Sequence, residues 1–188
     1  MAYTTLASIL GSTSMSNLLN EGDIDNLIIY DEISTDMAPG AWVYHDVSTG
    51  KWIPLDADTA AHKLAGPGQV GIILFEPRVE NGTWVTSNAT DYDVTYHKNV
   101  PICVSGIVVG DIVDQNASLG TGTKVMASST AESVTVFAKE STGVTGGTAI
   151  VSSAVGALAA KVADDDTKAI FALGAHMAKG AIWGGINE

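Results

Sequence analysis

The side chains best suited to chemistry in this sequence are four histidines, one cysteine, one arginine and a few neighbouring carboxylates. His45, His62, His97 and His176 lie far apart, with no i, i+4 pair and no adjacent cysteine, so metal-ligand spacing is missing and they read as surface or hydrogen-bonded histidines. Cys103 stands alone inside the apolar run Val100–Val109, which suits a buried small hydrophobe and offers neither a disulfide nor a thiolate metal site. Asp164-Asp165-Asp166 lacks the alternating ligands, central glycine and closing glutamate of a calcium loop, which leaves at most a weak calcium contact at a subunit boundary. Asp91 and Asp93 share a phase on an alternating segment, where both carboxylates would face water. Gly66, Gly68 and Gly71 satisfy G-x-G-x-x-G, but Pro67 lies inside the motif and a strand pattern follows, whereas phosphate binding needs a helix N-terminus there. No G-x-S-x-G elbow is present. The expectation is a chain with no catalytic residue, no metal and no cofactor.

Charge narrows the partners. The formal net charge is −12 over 188 residues, and residues 1–60 hold nine acids against the single base Lys51. Phosphate backbones are bound through lysine and arginine, and Arg78 is the only arginine, so nucleic acid is not an expected partner. No apolar stretch approaches the roughly 20 residues of a membrane span. The N-terminus has no basic segment ahead of an apolar one, so no secretory leader is read and the sequons at Asn81, Asn88 and Asn116 are taken as chance. With 46% hydrophobic residues the chain has enough apolar mass for a core.

These groups must be positioned by short strands. Leu27–Tyr30, Ala41–Tyr44, Lys51–Leu55, Gln69–Phe75, Thr83–Thr86, Asp91–His97, Val100–Val109, Thr123–Ala127 and Ser133–Ala138 are β-branched or alternating segments. Turn signals separate many of them: Pro39-Gly40, Ser48-Thr49-Gly50, Gly66-Pro67-Gly68 and Asn81-Gly82, the last a two-residue hairpin loop; Gly110-Asp111 opens a turn after Val109. Ala57–Ala65 fits a helical turn or a strand. In Thr148–Ala163, Val151, Val155, Leu158 and Val162 recur at helical spacing, which predicts one short Ala-rich helix, with Asp164–Asp166 in a turn after it. Further apolar segments run over Ile170–Leu173 and Ala181–Ile186. The predicted fold is therefore mainly β: an antiparallel β-barrel or sandwich over residues 27–188, with a Gly/Ala-rich insertion near 141–166 and an N-terminal arm over 1–26. Its core should include Ile72, Leu74, Ile102, Val104, Ile107 and Val136.

Several segments, in their order, resemble the small β-barrel decoration (cement) proteins on the heads of tailed bacterial and archaeal viruses. Gly40-Ala41-Trp42-Val43-Tyr44 with Lys51-Trp52-Ile53-Pro54-Leu55 is similar to their opening hairpin, and Gln69-Val70-Gly71-Ile72-Ile73-Leu74 to their central apolar strand. Val104-Ser105-Gly106-Ile107-Val108-Val109-Gly110-Asp111-Ile112-Val113 resembles their strand and Gly-Asp turn. Ala172-Leu173-Gly174-Ala175 followed by Gly180-Ala181-Ile182-Trp183 resembles their closing strands. The likeness covers roughly residues 38–188; the arm and segment 141–166 depart from it. It implies a homotrimer on the outer face of a capsid, clamping subunits of the major capsid protein, with no cofactor and no active site.

Two groups of residues are the expected contacts. Leu6, Ile9, Leu10, Leu18 and Leu19 space apolar anchors along the arm, which either binds a neighbouring capsid or decoration subunit or is a frayed terminus. Trp42, Trp52, Trp84 and Trp183 fall on or beside short strands and either meet at subunit contacts, where tryptophan is enriched, or complete the core. Competing readings are another virion or surface-layer β domain, such as a tail or fibre base, and a small β-barrel enzyme whose site forms only in space.

Overall fold

The computed structural model describes residues 17–19, 23–63, 65–66, 68–86, 90–113, 123–136, 154–162 and 165–177. In chain order the elements are β1 (Leu27–Glu32), β2 (Trp42–Asp46), β3 (Lys51–Pro54), the four-residue helix α1 (Ala60–Lys63), β4 (Val70–Ile73), β5 (Arg78–Glu80) and β6 (Thr83–Val85). There follow β7 (Asn99–Asp111), β8 (Lys124–Ala127), β9 (Val134–Val136), β10 (Gly156–Lys161) and β11 (Lys168–Leu173), closed by a 3-10 turn over Gly174–Met177. Nine strands form one antiparallel sheet in the order β3-β2-β4-β7-β11-β10-β8-β9, with β1 added to β7; β5 and β6 make a separate hairpin. The sheet curls into a half-barrel and helix is minimal, so the mainly β, antiparallel expectation holds.

β7 is the spine. Its thirteen residues are buried from Val100 to Gly110, because they are flanked on both edges and covered on both faces. Its N-terminal half lies between β1 (Ile28 opposite Cys103) and β4 (Ile72 opposite Cys103), and its C-terminal half pairs with β11 from Gly106 to Asp111. Strands buried on both faces read as continuous apolar runs, which is why this segment shows no alternation. One face packs Trp42, Leu55, Ile72, Leu74, Cys103, Val108 and Phe171 together. The other gathers Met37, Val43, Trp52, Ile73, Tyr92, Ile102 and Val104. Of the predicted core, Ile72, Leu74, Ile102, Val104 and Ile107 are buried; the side chain of Val136 lies outside the described residues. Gly71, the last glycine of the apparent phosphate motif, has a packing role in β4. A Cβ there would stand 2.5 Å from Ile102 Cγ2 and 2.9 Å from the Cys103 carbonyl oxygen.

The structure corrects the sequence reading at four places. The segment predicted as an Ala-rich helix holds β10 over Gly156–Lys161, paired with β11 on one edge and β8 on the other; residues 148–153 lie outside the described residues. Val155, Leu158 and Val162 have helical spacing, but Gly156, Ala157 and Ala159 between them are buried as well, so no polar face exists. Asp91–His97 is a bridge and a turn instead of an alternating strand. The Asp93 carboxylate accepts from Thr95 N at 2.7 Å and its carbonyl from Tyr96 N and His97 N, which curls the chain. Tyr92 is consequently buried while Tyr96 is exposed. Gly110-Asp111 continues β7 instead of turning, with Asp111 ion-paired to Lys168 of β11. Burial pushes the Asp111 carboxyl upward, and Lys168 draws it back. The fourth correction is the arm boundary. Residues 17–19 belong to the body: Leu18 bridges Val108 antiparallel, Leu19 N donates to Ile107 O, and Val109 N donates to Asn17 O.

α1 holds a buried histidine. His62 is buried, stacked 4.3 Å from the Tyr44 ring, and its Nδ1 accepts from Asp56 N at 3.0 Å. Desolvation lowers its pKa below the ordinary 6.5. Above pH 6.5 the ring is neutral in both folded and unfolded chains. As pH falls below 6.5 the unfolded chain takes the proton first, so stability is lost until the lowered folded pKa is reached, at up to about 1.4 kcal/mol per pH unit. His62→Gln, which keeps an acceptor, is expected to flatten the difference in thermal midpoint between pH 7.5 and pH 5.5. An unchanged difference would count against this account.

Candidate functional site

The most distinctive surface feature is the β5–β6 hairpin, and its construction starts from its two-residue loop. Asn81 and Gly82 adopt φ of 49° and 78°, the left-handed pair that a tight hairpin requires and that asparagine and glycine tolerate best. The loop sets the register Arg78 opposite Val85, Val79 opposite Trp84 and Glu80 opposite Thr83. Alternation then sends Arg78 inward and turns Val79 and Trp84 outward as a cross-strand pair, 46% and 68% exposed.

Arg78 anchors this hairpin to the body. Its Nε donates to Glu80 Oε1 at 2.5 Å, and its Nη2 donates to the carbonyls of Asp91 at 2.6 Å and Thr90 at 3.3 Å. The guanidinium carbon lies 3.7 Å from the centre of the Tyr92 ring, a cation–π contact in a buried setting. Tyr92 is held in turn by its hydroxyl, which donates to Leu74 O and accepts from Glu76 N, both at 2.9 Å. Burial pushes the Tyr92 hydroxyl up to about 12, so it stays a donor across the ordinary pH range. The only arginine is therefore consumed in mounting the hairpin, and its side chain is 7% exposed. An aromatic residue presented on so fixed a base loses little freedom on docking, which is what an interface anchor requires.

A second exposed apolar zone surrounds β1, where Ile24, Leu27, Ile28 and Tyr30 face solvent while Ile29 packs inward. The Tyr30 hydroxyl is hydrogen-bonded to Glu76 Oε1, and that carboxylate raises it to about 12.

The residues singled out from the sequence separate clearly in space. Trp42 and Trp52 are 0% and 2% exposed within the chain itself, so they complete its core instead of forming subunit contacts. Trp42 packs edge-on against Phe171 at 5.0 Å, and Trp52 Nε1 donates to Asp31 Oδ2 at 3.1 Å. Trp84 alone of the described tryptophans is presented outward; Trp183 lies outside the described residues. Of the arm anchors, Leu18 is buried and Leu19 half-buried on their own β7, while Leu6, Ile9 and Leu10 lie outside the described residues. Cys103 is fully buried, with Sγ 3.3 Å from the Ser105 carbonyl oxygen, and burial pushes its thiol up to about 12. Among the described residues no three of His, Cys, Asp or Glu come together as metal ligands. His45 lies against Trp52, His62 against Tyr44 and His97 against Tyr92, with His176 in the closing turn.

Val79 is a surface residue that sequence reasoning missed, although the Asn81-Gly82 loop placed it opposite Trp84. The exposure of Ile28 and Tyr30 had no such signal, because LIIYDE reads like any half-buried strand. These features define an antiparallel β half-barrel with an apolar hairpin face and exposed apolar side chains on β1. No family model, curated protein or solved structure matches the chain.

Proposed function

We propose that this chain is a structural virion protein that binds the outer face of a viral capsid as a homotrimer and stabilises it by bridging major capsid subunits. The observation that carries the reading is the Trp84–Val79 pair, an apolar face held outward by the buried Arg78. The order of segments resembling decoration proteins and the net charge of −12 support it: an acidic protein is well placed on a capsid exterior and poorly placed against packaged DNA. Docking by surface asks for no cofactor, metal or catalytic group.

The test is binding to undecorated heads of the virus that encodes the chain. Trp84→Ala is expected to weaken binding roughly 30-fold, as loss of a central aromatic anchor worth about 2 kcal/mol does. Its thermal unfolding should stay within a degree or two of the parent, because the ring is exposed in the free protein. Undiminished occupancy would remove the hairpin as the contact. Electron-microscopic density for the chain on a tail, fibre base or surface layer would favour the alternative structural reading.

A further inference from the structure

The half-barrel closes where the two ends of its strand order meet, and one residue carries much of the closure. β3 and β9 are the terminal strands of the sheet path. The loop that joins β8 to β9 folds on itself, with Ser128 N donating to Ser133 O at 3.1 Å. It then bonds across to the β2–β3 end. Ala57 N donates to Ser128 O at 2.8 Å, and Trp42 N donates to Glu132 O and Glu132 N to Leu55 O, both at 2.9 Å. The Glu132 backbone thus bridges β2 and the residue that follows β3.

This bridge is strained in two ways. The φ of Glu132 is 64°, in the left-handed region that a residue with a Cβ adopts at a cost. Its side chain is half-buried and faces other carboxylates. Burial raises the Glu132 pKa above the ordinary 4.5, and the charges of Asp111 and Asp91 raise it further. Among the described residues the Glu132 carboxylate makes no hydrogen bond or ion pair. The nearby cations are engaged otherwise: Lys168 pairs with Asp111, and Arg78 reaches Asp91 through its carbonyl oxygen. Asp165 adds a further negative charge close to Asp111. Backbone strain and a burial-shifted carboxyl at one residue point to a task beyond holding the fold together.

We propose that Glu132 makes the seam between the β8–β9 loop and β2 a pH-sensitive clasp, firm while its carboxyl is protonated and loosened when it ionises beside Asp111 and Asp91. Well below pH 4.5 the carboxyl is protonated whether the seam is closed or open. As pH rises, the open and solvated form releases its proton first, so the closed seam loses stability until its own raised pKa is passed. Asp111 acts in the same direction, drawn back by Lys168. The clasp belongs to the free chain, so it stands or falls separately from the capsid-binding reading.

Amide hydrogen exchange on the full-length chain, corrected for the intrinsic pH dependence of exchange, reads the opening of the seam. The Trp42 and Ala57 amides should lose protection at least threefold between pH 5 and pH 7.5, relative to amides of the β7–β11 pairing. In Glu132→Gln, which keeps the size and removes the charge, most of that loss should disappear. The thermal midpoint of Glu132→Gln should exceed the parent's at pH 7.5 and approach it at pH 4.5. His62, whose Nδ1 accepts from Asp56 N beside the seam, titrates with the opposite sign; it is common to both proteins, so their difference removes its share. A difference between parent and variant that is the same at every pH would overturn the proposal. So would seam amides that respond no more than those of β7–β11, since opening would then be global.

Discussion

Asn17→Leu is expected to destabilise the protein by about 2–5 kcal/mol, a large fraction of the total for a domain of this size. The buried Asn17 amide makes three long-range bonds. Its Nδ2 donates to the carbonyls of Ile73 at 3.1 Å and Val109 at 3.0 Å, and its Oδ1 accepts from Phe75 N at 2.8 Å. It thereby sutures the end of β4 to the C-terminal half of β7. Leucine has similar volume and no polar atoms, so the packing loss is small and the unpaired backbone groups dominate. Ile73 O keeps a bond from Gly40 N at 2.8 Å, whereas Phe75 N and Val109 O lose the side-chain partner that served them. Urea titration should show a lower midpoint at unchanged slope. A loss under 1 kcal/mol would mean that the two strands close over the gap unaided. The same residue limits how far the N-terminus can be trimmed: a chain starting at Asn26, which lacks Asn17, should lose at least as much as Asn17→Leu.

Trp42→Ala should cost about 3–5 kcal/mol, the range for removing a fully buried aromatic side chain. The indole meets Phe171 edge-on at 5.0 Å, and Nε1 donates to Asp111 O at 2.9 Å. Two glycines clear its path. A Cβ on Gly156 would stand 2.9 Å from Trp42 Cη2, and one on Gly110 would stand 3.2 Å from Nε1. Three strands, β2, β7 and β10, are thus shaped around one side chain. Trp42→Phe keeps part of the volume and loses the hydrogen bond, so a smaller loss is expected, between that of alanine and the parent. Gly156→Ala should destabilise by overpacking although it adds a single methyl group. Equal losses for Trp42→Ala and Trp42→Phe in chemical denaturation would show that the hydrogen bond, and not the volume, carries the effect.

The β character and most strand positions were legible because they rest on local chemistry. Short β-branched runs fenced by Pro39-Gly40, Ser48-Thr49-Gly50 and Asn81-Gly82 leave few alternatives to hairpins, and β2, β3, β4, β6 and β7 lie where those runs placed them. The buried state of Cys103 followed from its apolar neighbours. Gly156–Lys161 misled because helical spacing and two-sided burial produce the same apolar spacing when the intervening residues are alanine and glycine. Asp91–His97 misled because alternation ignores what an aspartate side chain does to its own backbone.

The candidate surface divides the same way. The sequence by itself determined that the chain is acidic, has one arginine and carries a tight Asn81-Gly82 hairpin, since these need only residue identity and local φ preference. Only the tertiary structure decided that Trp42 and Trp52 are core while Trp84 is presented, because exposure depends on which strands stack over a residue from distant parts of the chain. It alone showed that Arg78 is spent on Tyr92 and the Asp91 carbonyl, and that Asn17 sutures two strands more than fifty residues away. Such contacts have no periodicity to read: a polar side chain finds its partners only after the sheet has curled and left particular backbone groups without a neighbour.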